Sequence, residues 1–181
     1  MKKSVIAIVE TQIQAERIVE TLQQRGVSSS DISVLFPDKR GSKDFAYEHN
    51  TKAPEGAVAG VGAGGVVGGT LGLLAGIGAL AIPGVGPLIA AGPLMATLSG
   101  AAAGAAVGGV AGGLIGLGVP EFEAKSYEGK VRGGNILIAV HTDNSETERR
   151  SKQIFESNGA HDIATAGDAS VPKKREHISQ F

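Results

Sequence analysis

The feature that most constrains this chain is an interval of 65 residues, Gly56 to Pro120, that contains no charged side chain. All 35 charged residues lie in the two flanks, whereas the interval holds 21 of the 28 glycines. A segment of this composition has no charged face to turn towards water, while the flanks have the charge density of an ordinary soluble domain. The chain therefore combines two parts of different character, and we expect the uncharged part to be buried in protein or in lipid.

Glycines within this interval form two ladders with a spacing of four residues. Positions four apart lie along one ridge of a helix, so a ladder of glycines makes a groove that another backbone can approach closely. The ladders are in mirror order: Gly60 pairs with Gly116, Gly76 pairs with Gly100, and the two numbers of every such pair sum to 176. The first ladder is Gly60, Gly64, Gly68, Gly72 and Gly76, and the second is Gly100, Gly104, Gly108, Gly112 and Gly116.

The mirror order predicts an antiparallel helical hairpin over residues 56–119, with helices at about 57–82 and 94–118. Its turn falls in PGVGPLIAAGP, where prolines and glycines disfavour a continuous helix. Glycine costs about 1 kcal/mol relative to alanine in a helix interior, so close packing along the ridge or a bilayer must offset that cost. We predict that the ten ladder glycines mediate helix packing and self-association, and we assign the turn to Pro83, Gly84, Pro87 and Pro93.

The length of the two arms bears on whether lipid or protein buries them. At about 1.5 Å per residue, each arm would span roughly 37 to 39 Å, enough to cross a hydrocarbon core of about 30 Å. Only Thr70, Thr97 and Ser99 add polar side chains to the arms, too few to line a water-filled pore. Glycine and alanine outnumber leucine, however, so a soluble homo-oligomer that buries its hairpins in a shared apolar core is an alternative to membrane insertion.

The flanks carry one β-α-β pattern twice. In residues 1–55, a β-branched apolar run precedes a capping-box signature, a helical spacing of apolar residues and a glycine at the expected C-terminal cap. Residues 120–167 repeat this order after a linking helix predicted at Pro120 to Arg132. Two such units predict an α+β fold, a ferredoxin-like four-stranded antiparallel sheet with two helices on one face and the hairpin inserted. The signals are SVIAIVE, Thr11 with Gln14, and Gly26 in the first copy, and NILIAVHT, Ser145 with Glu148, and Gly159 in the second.

Residues 168–181 show no periodicity and are predicted to be a disordered tail. The formal net charge is -1 and no basic stripe is present, so we expect no nucleic-acid partner. The chain has no cysteine, which excludes thiolate chemistry and thiolate metal sites. GVGAGG, which begins at Gly60, formally matches a dinucleotide-binding pattern, but it lacks a preceding strand and an acidic residue about twenty positions later.

The titratable side chains do not form a recognisable catalytic set. His141 and His161 stand at strand ends, where they could meet and hold a metal, but surface histidines are the favoured interpretation. Glu121, Glu123 and Glu128 are explained by the dipole and the solvated face of the linking helix. We therefore predict no catalytic, cofactor-binding or metal-binding residue, no cofactor, and a non-enzymatic protein.

The stretch GVPEFEAKSYEGKVRGGNILIAVHTD, Gly118 to Asp143, together with the first β-α-β unit and the Gly/Ala-rich hairpin, resembles the bacterial general stress proteins, also called heat-induced stress proteins (YflT-like). The resemblance covers most of Ser4 to Gly167. It implies a small stress-linked protein that associates with membranes, and it supplies no catalytic residues for positions of this chain.

These observations lead to an expectation about function. We expect a stress-response protein at the cytoplasmic face of the inner membrane, with a lipid bilayer as partner, forming a homo-oligomer through its glycine ladders. The alternatives are a soluble cytoplasmic assembly and a small-molecule sensor that uses the face of the sheet, the latter by fold analogy alone. The sequence identifies no protein partner of the sheet domain.

Overall fold

The computed structural model describes residues 3–37, Leu71, Leu74, 78–82, 86–103 and 109–167. Within these residues the fold is α+β, with one antiparallel sheet of six strands and five α-helices. The strands are β1 (Lys3–Val9), β2 (Ile32–Pro37), β3 (Gly78–Ile82), β4 (Gly86–Ala91), β5 (Ile136–Thr142) and β6 (His161–Gly167). The helices are α1 (Gln12–Gln24), α2 (Pro93–Ala103), α3 (Gly109–Gly116), α4 (Glu121–Arg132) and α5 (Ser145–Ser157), and a 3-10 turn spans Ser29–Asp31.

The ends of the flanking helices follow from local sequence. The Thr11 side chain accepts a hydrogen bond from the backbone N–H of Gln14, which starts α1 as predicted. After α1, Gly26 has φ +86°, a left-handed conformation that favours glycine. Helix α5 differs from the prediction by one residue, because Asn144 and not Ser145 is the cap, through its bond from the N–H of Glu146 at 2.7 Å.

The strand order in the sheet is β3-β4-β2-β5-β1-β6, and every neighbouring pair is antiparallel. The four strands from the flanks therefore lie side by side, with β5 and β1 in the centre of that group. The prediction of four strands was incomplete, because the uncharged interval adds β3 and β4 beyond β2. Residues 78–82 and 86–91 of the glycine-rich interval are thus part of the sheet.

Alternation along the central strands buries both faces of the sheet. One face packs under α1 and α5, where Phe155 is fully buried. The opposite face, which includes Ile6 and Leu137, packs under α2, α3 and α4. Because side chains point to alternate faces, a strand covered on both sides must be apolar throughout, which is why β1 reads as a continuous apolar run. The sheet therefore offers no open central face in the described residues for the sensor function considered above.

The structure contradicts the predicted hairpin at the end of its first arm, while the described residues of its second arm are mostly helical, as predicted. Residues 78–82, assigned to the end of the first helix, form strand β3, and the second arm divides into α2 and α3, with residues 104–108 outside the described part. Pro87 lies in β4 and Pro93 is the first residue of α2, so neither belongs to a hairpin turn. Apolar residues at the sheet edge can complete the sheet and pack on the core, and this packing outweighs helix propensity.

The other predictions are either confirmed or fall on residues outside the described part of the chain. The linking helix predicted at Pro120 to Arg132 is confirmed as α4. Leu71 and Leu74 are buried in the same core as α1 and α5. Pro83 and Gly84, the loop before the interval, the tail 168–181 and all five glycines of the first ladder lie outside the described residues.

Candidate functional site

The uncharged helices α2 and α3 each donate a backbone N–H hydrogen bond to a side chain outside them. The hydroxyl of Ser33 in β2 accepts a bond from the backbone N–H of Leu94 at 2.9 Å, in the first turn of α2. Glu128 of α4 accepts a bond from the N–H of Ala111 at 2.8 Å, in the first turn of α3. First-turn N–H groups have no partner inside their own helix, so each needs an acceptor from elsewhere. The charged flanks thus supply the polar groups that the uncharged segment lacks.

Ser33 belongs to a chain of polar groups that crosses the sheet. His141 of β5 lies between two hydroxyls, with Nε2 at 2.8 Å from Ser33 Oγ and Nδ1 at 2.9 Å from Ser4 Oγ. Ser33 is fully buried and Ser4 is 5% exposed, so neither hydroxyl has ready access to bulk water. The three side chains satisfy one another across β2, β5 and β1 and connect the sheet to the start of α2.

Glu128 lies in a close contact with the backbone of α3. Gly109, the first residue of α3, has φ +46°, and a Cβ at this position would lie 2.6 Å from Glu128 Oε2. Arg132 contacts the other carboxylate oxygen at 3.2 Å. Glycine at position 109 therefore permits both the backbone conformation and the approach of the carboxylate. The sequence reading placed Glu128 on a solvated helix face, which was wrong, although Glu121 and Glu123 do lie in the first turn of α4.

The close approach of α2 and α3 occurs at Gly113, which is not in the predicted ladder. A Cβ there would lie 2.5 Å from Leu98 Cδ2, so the Leu98 side chain occupies the space beside this glycine. The ladder residue Gly116 is exposed, and a Cβ added to it would meet nothing within 4 Å. Gly112 is half-buried, and Gly104 and Gly108 lie outside the described residues. Gly100 lies in α2, and the role of the ladder glycines in self-association stays a prediction.

Gly92, between β4 and α2, is the most constrained glycine among those described. Its φ is +76°, and a Cβ would lie 2.1 Å from the carbonyl oxygen of Ile32. This glycine lets the chain leave β4 and begin α2 directly above β2. With 21 glycines in the interval, nothing in the sequence singles out Gly92.

A cleft of about 900 Å³ opens at the end of the sheet where β1 begins and β5 ends. We call it the end cleft. Three segments form its walls: the turn after α1, the turn between β5 and α5, and the C-terminal end of α3. Ser4 and His141 lie at its base, next to the polar chain that reaches Ser33. The cleft was not predicted from the sequence, because residues more than one hundred positions apart form its walls.

A second polar cluster lies between α4 and the edge strand β6. The Tyr127 hydroxyl donates to the carbonyl oxygen of Asp162 at 2.7 Å, and Lys130 pairs with the Asp162 carboxylate at 2.6 Å. Burial, followed by the nearby carboxylates of Glu123 and Asp162, raises the pKa of Tyr127 to about 12. The Lys130 ammonium, with His161, lowers the pKa of Asp162. These contacts hold Asp162 at φ +52°, in a bulge of the strand.

The two histidines considered as a metal pair do not meet. His141 is opposite Ser4 and His161 is opposite Ile8 on β1, so they are separated by four residues, roughly 13 Å, along the strand. His161 instead contacts Asp162 at 2.6 Å. The described residues contain no group of three or more side chains placed to hold a metal ion.

Two further findings complete the description of the chain. Among the described helices, none combines the length and the apolar character needed to cross a bilayer. No family model, no curated protein and no solved structure matches the chain.

Proposed function

We propose that this is a non-enzymatic stress-response protein that self-associates through its uncharged glycine-rich segment and does so at a membrane. In this proposal β2, β5, β1 and β6, with α1 and α5, constitute a ferredoxin-like unit that faces water. Their order in the sheet and the two β-α-β connections support that assignment. The resemblance to the bacterial general stress proteins supports the link to stress.

The observation that carries the proposal is the outward surface of α2 and α3. Their inward side chains, among them Leu94 and Leu114, are fully buried against the sheet. The outward surface includes Ala96 and Ile115, both exposed, and has no charged side chain because the interval has none. Small and apolar residues let another helix or a lipid chain approach closely. A surface of this kind is suited to burial by a second copy or by a bilayer.

A matched pair of substitutions tests this role. Ile115 is 44% exposed on α3, and Ile13 is 70% exposed on α1, on the other side of the sheet. Ile115→Lys adds a charge to the proposed association surface, whereas Ile13→Lys adds the same charge elsewhere. We expect Ile115→Lys to release protein from the membrane pellet and to reduce particle size, while Ile13→Lys behaves as the native chain. Equal behaviour of the two variants and the native chain would rule out this surface as the association element.

One observation favours the soluble assembly as a second candidate. Leu94 and Leu98 of α2 and Val110 and Leu114 of α3 are already buried in one core with residues of the sheet, so the inward faces of these helices need no lipid. In that case the copies would meet through the outward surface in water. A large particle that sediments without membrane and dissolves without detergent would favour this candidate.

A further inference from the structure

The end cleft has the size and the division of surfaces of a small-molecule site. Its volume of about 900 Å³ lies within the range of roughly 300 to 1,000 Å³ that such pockets occupy. Apolar residues contribute to the lining, among them Ile115 and Leu117 at the end of α3, Pro93 at the start of α2 and Val27 after α1. Hydroxyl groups and one carboxamide face the same space from the turns that form the other walls, namely Ser28, Thr142, Asn144 and Thr147.

The charges around the cleft are negative. Asp31 and Asp143 line it, and the described lining residues include neither lysine nor arginine. The C-terminal ends of α1 and α3 also border the space, at Gly26 and at Gly116. The C-terminus of α3 carries a partial negative charge that adds to that of the two carboxylates, whereas the Arg150 guanidinium donates to the Arg25 carbonyl at the end of α1. The N-terminus of α5 has the opposite sign, and the Asn144 side chain accepts one of its N–H groups, that of Glu146.

We propose that the end cleft binds a small organic amine, with its ammonium group drawn to the carboxylates of Asp31 and Asp143 and its apolar body against Ile115 and Leu117. The hydroxyls of the turns would accept the remaining ammonium hydrogens. The inference does not require self-association, although Ile115 belongs both to the lining of the cleft and to the proposed association surface, so the test variants leave Ile115 unchanged. The cleft joins the flanks to α3, so occupancy of the site would bridge the charged and uncharged parts of the chain.

Three probes of one size and three charges test the ligand class. Benzylamine is cationic at pH 7, benzyl alcohol is neutral and benzoate is anionic, while all three share the phenyl ring. Saturation-transfer NMR titrations with the full chain give a dissociation constant for each. We expect benzylamine to bind at least about fivefold more tightly than benzyl alcohol, and benzoate more weakly still. Benzoate binding as tightly as benzylamine, or no saturation transfer to any probe, would overturn the proposal.

The carboxylates are tested by removing their charge alone. Asp31→Asn combined with Asp143→Asn keeps the size of both side chains, and Glu156→Gln, near the far end of α5, is the control for loss of an exposed carboxylate. We expect the double variant to bind benzylamine about fivefold to tenfold more weakly and benzyl alcohol as before. The proposal fails if the double variant keeps native affinity for benzylamine or if Glu156→Gln reduces it equally.

The position of the site is tested by filling the cleft. A Cβ at Gly116 meets no atom within 4 Å, and the same holds at Gly129 on α4, which does not line the cleft. Gly116→Leu therefore extends a side chain into the cleft, while Gly129→Leu extends one elsewhere. We expect Gly116→Leu to weaken benzylamine and benzyl alcohol by more than about tenfold, with Gly129→Leu unchanged. Native affinity in Gly116→Leu would place the binding outside the cleft and contradict the proposal.

Discussion

The carboxylate of Glu128 accepts a hydrogen bond from the backbone N–H of Ala111 at 2.8 Å, and this contact joins a charged helix of the flank to a helix with no charge of its own. The Glu128 side chain is 20% exposed, and Arg132 holds its other oxygen. Together with the bond from Leu94 to Ser33, it fixes the first turns of α3 and α2 on the sheet domain. The stability of this arrangement can be tested at each contact.

Removing the Glu128 carboxylate should loosen α3. We expect Glu128→Ala to lower the free energy of unfolding by about 1 to 2 kcal/mol, because a first-turn N–H loses its charged acceptor. Glu20→Ala on α1 is the control, since Glu20 is exposed and accepts a hydrogen bond from Gln24 of its own helix. Urea unfolding measures both variants, and a change within about 0.5 kcal/mol for Glu128→Ala would show that this contact does not hold α3.

Two buried serines that differ in the hydrogen bonding of their hydroxyls provide a second test. Ser33 and Ser151 are both fully buried, but the Ser33 hydroxyl bonds to Leu94 and His141, whereas Ser151 Oγ has no hydrogen-bond partner in the described part of the chain. Ser33→Ala should cost about 1 to 3 kcal/mol, since it leaves buried polar groups unpaired. Ser151→Ala should leave stability unchanged or raise it by up to about 1 kcal/mol. Equal effects in urea unfolding would contradict the assigned bonds.

Glycines 113 and 129 should respond oppositely to alanine. At Gly129 nothing lies within 4 Å, so Gly129→Ala should gain about 0.5 to 1 kcal/mol from helix propensity. At Gly113 the new Cβ would lie 2.5 Å from a buried leucine, and overpacking of that kind costs about 1 to 3 kcal/mol. Gly113→Ala should therefore lower the midpoint of thermal unfolding, and Leu98→Val should recover part of the loss. Stabilisation by both alanine variants would exclude close packing of α3 on Leu98.

Acid should weaken the fold through Glu148. Hydrogen bonds from Lys3 and Lys152, each at 2.9 Å, lower the pKa of Glu148 to about 2 from an ordinary value of 4.5. Because the folded pKa lies below the unfolded one, this contribution is fully present above pH 4.5 and is lost as the pH falls towards 2. Half-exposed ion pairs contribute about 1 kcal/mol at most. Glu148→Gln should flatten the fall of the unfolding midpoint across that pH window, and Glu156→Gln should leave it steep.

The flanks were predictable from sequence because their signals are local. The β-branched apolar run of β1, the cap at Thr11 and the glycine after α1 each lie within a few residues of the structure that they cause. The linking helix was likewise predictable from Pro120 and the charges at its two ends. The α+β class and the antiparallel sheet were predicted, whereas strands β3 and β4 were not.

The uncharged interval was less predictable, because more than half of its residues are Gly or Ala. Glycines spaced four residues apart did not show where a helix ends and a strand at the sheet edge begins. Residues 78–82, just after the first ladder, form such a strand. Gly92 and Gly113 are required by contacts with Ile32 and Leu98, which lie far from them or on another helix. The same holds for the end cleft, whose walls meet only after the sheet forms.

The central claim is that the uncharged segment makes the chain associate, with itself and with a membrane. The most direct test is fractionation of cells expressing the native chain, by ultracentrifugation, an alkaline carbonate wash and detergent, followed by light scattering of the dissolved protein. We predict that the protein stays in the pellet through carbonate, dissolves in detergent, and has a mass several times the 18.3 kDa of one chain. Recovery in the first supernatant as an 18.3 kDa monomer would contradict the account.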